Sequence, residues 1–588
     1  MAARAFARVA PVRAKLSLAV VVLLAAGLVA RLGDVQIHDG PHLARMALSQ
    51  HDETHETFAR RGAILDRDGG VLVRSLPSES IYAVPDTVTN KHDTALALAP
   101  LLHRPLADIE ADLQGDGQFR WLARKVPHET AERVRDLGLA GIETKREETG
   151  IRFVAAGRLA STVLGFTGTD ENGLDGLEYS LDHLLRGTPG SERIESDEFG
   201  RAIPFGETQI IERAVPGTTV VTTIDPYLQF EAERLLRADV KQWHATSGTV
   251  IVMDPWSGEL LAVANAPDFD PSHFAQSSSD TWRDRAISDA YEPGSTFKLI
   301  TAAAALESGK VTTSSRFASH DHLAIGDHII HNAEDGFLAG TSSNETMEDI
   351  IAYSHNVGAA EISLAIGKQA MYDEVTRFGF GQPTEVELAG ENPGIVPPLD
   401  QWSKISQATI AFGQGISVDP LAMARAYCAI ANGGMLLRPR VVHALENASG
   451  ATVYSYAPEI ERRVMSEKTA ATLRSFLRAV VVRGTGNPTA RVPGWTTAGK
   501  TGTAQIEEHG VYEPGSYVAS FIGMIPAESP RYVILVKIDR PRGAYYGGVV
   551  AAPVFAELAR DAMFHAGIMP AASAPRLVRP ASASKAKH

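Results

Sequence analysis

Three features of the sequence predict an α+β fold, in which a largely antiparallel sheet is flanked by helices and preceded by a single N-terminal membrane-crossing helix. Residues 248–264, 517–525 and 532–538 are rich in Val, Ile, Phe and Met and are interrupted by Pro255, Gly258 and Pro526, the pattern of strands joined by short connections. Residues 299–307 and 421–431, and a segment beginning at Pro226, carry apolar residues at helical spacing and suit the covering of a sheet. Residues 16–30 are uncharged and follow Arg4, Arg8, Arg13 and Lys15, with no acidic residue before Asp34.

That charge asymmetry predicts a short cytoplasmic N-terminus and a chain otherwise outside the cytoplasm. About 20 apolar residues span a bilayer comfortably, so the run is short unless Arg31 snorkels and Leu32 is counted. A cleaved signal peptide is the competing reading, with Ala25, Ala26 and Ala30 as small residues for a cleavage site. The uncleaved anchor is preferred. Residues 61–73 read as two short strands around an Asp68-Gly69-Gly70 turn, and residues 94–139 as mostly helical. Breakers at 187–190 and 215–217 place the main boundary near residue 216, after which 219–224 is a strand. The expected organisation is a basic tail at 1–15, an anchor at 16–32, an N-terminal domain at 33–216, a catalytic domain at 217–570 and a tail at 571–588. The last is rich in Ala, Ser and Pro without an acidic residue, a composition that does not order itself.

Composition narrows the function. The 588 residues carry 56 basic and 70 acidic side chains, a net charge of −14, which argues against nucleic acid as a partner. Cys428 is the single cysteine, so an intrachain disulfide and a multi-cysteine zinc site are excluded.

The chemistry lies in three short motifs. Gly294-Ser295-Thr296-Phe297-Lys298 opens an apolar helix, and Ser295 and Lys298, one turn apart, emerge on one face. A serine hydroxyl needs a neighbouring base to become a nucleophile. Lysine serves only if its pKa falls from about 10.4 toward about 7, on the order of 4 kcal/mol, through burial, a second cation and the helix N-terminus. Ser354-His355-Asn356 brings a second hydroxyl and an amide, suited to relaying a proton and holding a peptide. Lys500-Thr501-Gly502-Thr503 reads as a strand that a substrate approaches closely, with Lys500 as the second cation and two threonines for a carboxylate. Each motif alone is commonplace. In this order they match the set of serine β-lactamases and penicillin-binding proteins.

Two other patterns compete. Residues 494–501 satisfy G-x-x-x-x-G-K-[ST], but no apolar strand precedes them and no helical period follows. His320, His322, His328 and His331 have metal-like spacing, yet such histidines are more often solvated, and no metal or other cofactor is expected. His355 is read as packed or solvated rather than catalytic.

Beyond the motifs the sequence resembles the class B penicillin-binding proteins, monofunctional peptidoglycan DD-transpeptidases, and most closely their cell-division, FtsI-type branch. The likeness covers roughly residues 15 to 565. It includes Arg61-Gly62-x-Ile64-x-Asp66-Arg67-x-Gly69, Gly173-Leu-Asp-Gly-Leu-Glu178, Thr222-Thr-Ile-Asp225, Tyr291-Glu-Pro-Gly-Ser-Thr-Phe-Lys298, Phe412-Gly-Gln-Gly-Ile416 and Tyr546-Gly-Gly548. The resemblance implies the penicillin-binding transpeptidase fold above an elongated pedestal, a dimerisation-like domain, at 33–216. It implies an acyl-enzyme on Ser295 with Lys298 as base, Ser354 as proton relay and Asn356, Lys500, Thr501, Gly502 and Thr503 around the donor peptide. Backbone N–H groups of Ser295 and Thr503 form the implied oxyanion hole. The implied partners are peptidoglycan stem peptides, β-lactams, the membrane, a SEDS-family glycan polymerase and other division proteins. Elongation-type enzymes, β-lactamases and anchored sensors are the alternatives. Two departures stand out: His355 where the family usually has a small residue, and an unmatched aromatic-proline pair around Arg152.

Overall fold

The computed structural model describes residues 2–570 apart from 44–45, 47–51, 116, 118, 148, 156, 196–207, 319, 334–343 and 509. The 571–588 tail lies outside the described residues. The chain forms two compact units, residues 1–59 with 188–215, and residues 60–187 with 216–588.

In the first unit the helix Ala2–Gly33 continues into one wider turn, Asp34–His38. Val12–His38 is a stretch of 27 residues, long and apolar enough to cross a membrane. The 16–30 run is short only because Lys15 and Arg31 bracket it, and the helix passes through both. A three-stranded antiparallel sheet completes the unit, with Gly190–Glu195 between Asp52–Thr57 and Thr208–Glu212.

The second unit begins with the short strands Ile64–Leu65 and Val71–Leu76, paired antiparallel. Asp66 Oδ1 closes their turn by accepting from the N–H groups of Asp68 and Gly70, each at 2.8 Å. These strands sit inside a six-stranded sheet in the order Thr452–Ser455, Val442–Glu446, Thr219–Thr222, Ile64–Leu65, Val71–Leu76, Ile151–Val154. Thr219–Thr222 runs parallel to Ile64–Leu65. Arg61 is buried beside them and donates to Glu178 Oε2 at 2.8 Å and Asp182 Oδ1 at 2.7 Å. Arg152, at the departure around 152–157, donates to the other Glu178 oxygen at 2.6 Å and to Ser75 Oγ at 3.1 Å.

The helical reading of 94–139 needs correction. Helices Lys91–Leu102, Leu106–Gln114 and His128–Asp136 are present, but Arg120–Pro127 is a strand paired with Ser78–Ala83. Register shifts and a left-handed Lys125 break its alternation, so the sequence lacks a clean two-residue period.

The sheet that carries the site comprises β1 (Ser247–Met253), β2 (Leu260–Ala266), β3 (Ala498–Glu508), β4 (Val511–Ile525) and β5 (Tyr532–Asp539). It is antiparallel throughout, in the order β2-β1-β5-β4-β3. Alternate residues enter two separate cores, as a two-residue period requires. Val250 and Val252 join the core of α1 (Pro226–Gln242) and α7 (Gly547–His565). Ile251 and Met253 join the core of α2 (Lys298–Glu307), α3 (Met347–Tyr353), α4 (Asn356–Ile366), α5 (Pro420–Ala431) and α6 (Glu467–Arg483). The helix starts are specified locally: Asp225 and Asp419 cap α1 and α5 ahead of prolines, and Ser466 caps α6. Cys428 is buried in α5, where burial pushes its thiol pKa up.

The G-x-x-x-x-G-K-[ST] match leads into β3 rather than into a helix, which is not the setting of a phosphate-binding loop. Strands His322–Ile325 and His328–His331 form a hairpin that places His322 opposite His331, ring centroids 6.5 Å apart. Among the described residues no group of three or more His, Cys, Asp or Glu side chains converges on a common point.

Candidate active site

Ser295 stands in the single 3-10 turn Gly294–Phe297 that leads into α2. Three contacts fix this turn. Thr296 Oγ1 donates to Pro293 O at 2.7 Å, Tyr427 Oη donates to Thr296 O at 2.9 Å, and Gly294 N donates to Gly413 O at 3.1 Å. The last contact is a close backbone crossing. A β-carbon on Gly413 would lie 2.3 Å from Gly294 O, and both glycines have positive φ, +79° and +55°.

Helical spacing carries Lys298 under the serine, with Nζ 3.0 Å from Ser295 Oγ. The same amine meets Asn356 Oδ1 at 2.8 Å, Ser354 Oγ at 3.2 Å and the Ser354 carbonyl. It is fully buried, and burial first, then the charge of Lys500, drives its pKa well below the ordinary lysine value. Lys500 is also fully buried, and desolvation lowers its pKa to about 7. Its Nζ donates to Ser354 Oγ at 2.8 Å and to Thr501 O at 3.1 Å.

The donor and acceptor inventory constrains the protons. Asn356 Oδ1 and the Ser354 carbonyl can only accept, so they take two N–H groups of Lys298. A neutral amine then has its lone pair left for a hydroxyl proton, from Ser295 or from Ser354. Ser354 Oγ already accepts from Lys500, which leaves its own proton to give. The arrangement therefore connects Ser295, Lys298, Ser354 and Lys500 in one chain.

Ser354 is the C-cap of α3 at φ +64°, and Asn356 opens α4, its Nδ2 donating to His331 O at 3.0 Å. Thr501 and Thr503, two apart on β3, line one cleft with Ser295, Ser354 and Asn356. Thr501 Oγ1 lies 2.6 Å from Thr485 Oγ1, and Thr503 Oγ1 accepts from Gly547 N at 3.2 Å. Gly502 is buried between them, paired with Ser520 of β4. The cleft holds about 760 Å³, within the range of small-ligand sites. The two lysines lie beneath it.

His355 is packed, with Nδ1 2.9 Å from Glu345 Oε2. Sequence reasoning missed Arg483, Thr485 and Tyr517, which also line the cleft. Arg483 and Thr485 sit where α6 ends, and Tyr517 lies on β4. Nothing local marks them, because their neighbours in the cleft are distant along the chain.

Residues 248–560 match the Penicillin binding protein transpeptidase domain, and residues 56–222 match the Penicillin-binding Protein dimerisation domain. The chain belongs to the class B penicillin-binding proteins. This family is that of the peptidoglycan D,D-transpeptidases. The class B penicillin-binding protein described here is 33% identical over 547 residues to stage V sporulation protein D of Bacillus subtilis, covering 92% of this chain and 83% of that one. It is 31% identical over 544 residues to the peptidoglycan D,D-transpeptidase FtsI of Escherichia coli, covering 91% and 88%. Penicillin binding protein 3 of Mycobacterium tuberculosis, solved in complex with aztreonam, superposes with a TM-score of 0.68 at 30% identity, covering 88% of this penicillin-binding protein and 98% of that chain.

Proposed function

We propose that this protein is a membrane-anchored serine DD-transpeptidase that cross-links peptidoglycan stem peptides through an acyl-enzyme on Ser295. The observation that carries the reading is the buried Lys298, its pKa lowered, 3.0 Å from Ser295 Oγ and in contact with Ser354. Lys298 takes the Ser295 proton as Oγ attacks the carbonyl of the penultimate D-Ala. The developing oxyanion is held by the N–H groups of Ser295 and Thr503, donors worth about 3 to 4 kcal/mol each in such sites. Ser354 passes the proton to the departing D-Ala amine. Asn356 orients the donor peptide, and Lys500 with Thr501 and Thr503 grips its terminal carboxylate across Gly502. An amine of a neighbouring stem peptide then attacks the ester and releases Ser295. A β-lactam enters as a donor mimic and remains attached.

Residues 16–32 of the helix anchor the protein, with residues 33–216 as pedestal and 217–570 as catalytic domain beyond the membrane, an orientation supported by Arg4, Arg8, Arg13 and Lys15 before the apolar run. A role at the division septum, alongside a SEDS-family glycan polymerase and other division proteins, is supported by the resemblance to the FtsI branch. Residues 284–293 and the Ser354-x-Asn-Val-Gly-Ala-Ala360 stretch carry that likeness. Elongation is the alternative role. Labelling with a fluorescent penicillin tests the chemistry. The wild type is expected to carry a lasting adduct on Ser295, and Ser295→Ala none; covalent labelling of the variant would show that the nucleophile is another residue.

A further inference from the structure

Ser354 receives contacts from both buried lysines, yet its backbone stands at φ +64°, a conformation that a β-carbon disfavours. Its place must be set by what surrounds it. The helix before it, α3, has seven residues, closed at its start by reciprocal bonds between Thr346 and Asp349. Arg483, at the end of α6, donates through Nη2 to Glu348 Oε1 at 2.8 Å and to Asp349 Oδ1 at 2.9 Å. Its guanidinium also lies 5.3 Å from the centre of the Tyr353 ring. Two residues later, Thr485 N donates to Ala352 O at 3.0 Å, while Thr485 Oγ1 reaches Thr501.

A second connection holds the residue after Ser354. His355 and Glu345 meet at 2.9 Å with side chains 6% and 10% exposed, and the His355 ring stacks with Tyr353 at 6.0 Å. Glu345 belongs to the short strand Glu345–Thr346, which runs directly into α3 and is paired with Arg316–Phe317. Ser354 is thus flanked by two polar connections, one from its helix to the end of α6 and one from its turn back to the strand that enters the same helix.

We infer that Arg483 and the His355–Glu345 pair are positioning residues for acylation, holding α3 and its C-terminal turn so that Ser354 Oγ stands between the amines of Lys298 and Lys500. They act through Ser354 rather than on the substrate. Arg483 shares its charge with two carboxylates, which leaves it poorly suited to gripping an anionic ligand in the cleft. The inference rests on the acyl-enzyme reading above.

The test is time-resolved acylation of the full-length, detergent-solubilised protein by a fluorescent penicillin, separating the non-covalent Kd from the acylation rate constant per titrated site. Melting temperatures are recorded for every variant, and Arg234→Ala, which removes a surface ion pair with Glu231, serves as a control. Arg483→Ala is expected to lower the rate constant roughly tenfold or more with Kd little changed, because small misplacements of a catalytic group are costly. Arg483→Lys is expected to recover part of it. His355→Ser and Glu345→Gln are each expected to lower the rate about three- to tenfold, and their double variant no further than the worse single, since residues of one contact are not additive. Unchanged rates per titrated site, or a raised Kd with an unchanged rate, would overturn the inference. If Arg483→Ala does not fold, Arg483→Lys and His355→Ser decide by the same measure. Wild-type labelling at Ser295 with normal variant rates overturns the positioning role alone, whereas an unlabelled wild type overturns the acyl-enzyme reading and this inference with it.

Discussion

Two fully buried lysines sharing one serine hydroxyl set the pH behaviour of the site at the scale of single residues. The base form of Lys298 is the neutral amine, and its pKa is lowered by burial and by Lys500. Acylation is therefore expected to rise with pH along a limb below the ordinary lysine range. Removing the positive charge in Lys500→Met deletes one of the two lowering causes, so the residual activity should show its rising limb at higher pH. A pH profile of penicillin acylation checks this, and a limb that stays in place or moves down would contradict it. The sign for stability follows the same proton count. Lys500 has a folded pKa of about 7 against about 10.4 unfolded, so between those values the unfolded chain binds more protons and this residue's contribution to stability rises with pH. Below about 7 both states are protonated and the cost of burying the charge is felt in full.

At the scale of elements, the turn that carries Ser295 depends on a contact between two backbone segments. Gly413→Ala is expected to push Gly294 and Ser295 away from β3, destabilising the protein by about 1 to 3 kcal/mol and lowering acylation more than binding. Gly450→Ala, also at a positive φ but with open space around it, isolates the backbone cost in the same melting and labelling assays. The turn itself was legible in the sequence, because Ser295 and Lys298 are separated by one helical turn and that geometry is local. The left-handed Ser354 was not, since no glycine or asparagine marks it and its conformation is maintained by groups elsewhere. Arg483 and Thr485 were equally silent: each acts across the fold, on α3 and on β3. The strand Arg120–Pro127 was hidden for another reason, the register shifts that spoil its alternation. Strand β4 was recognised only from residue 517, because its first part is exposed and includes Pro514 and Gly515.

At the scale of the whole molecule, the proposed septal role predicts a cellular outcome. Depleting the protein is expected to give filaments, counted by microscopy, whereas rounded cells would assign it to elongation. The buried contact of Arg61 with Glu178 and Asp182 joins the Arg61–Gly69 segment to the segment around Glu178 within residues 60–187. Buried pairs of this kind are costly to break singly, about 3 to 5 kcal/mol, so this part of the chain is held as one body.

The six-stranded sheet has a consequence for how the chain folds. Its strands come from residues 64–76, 151–154, 219–222 and 442–455, so a ribosome must add more than two hundred residues after the fourth strand before the fifth exists. Until then Thr219–Thr222 has an open edge, the kind of unpaired backbone that invites wrong partners. Such long-range pairing makes folding slow and leaves intermediates prone to aggregation. Truncations ending between residues 222 and 442 leave that edge permanently bare, and chaperone dependence during synthesis is the natural counterpart of an architecture that is closed only from its far end.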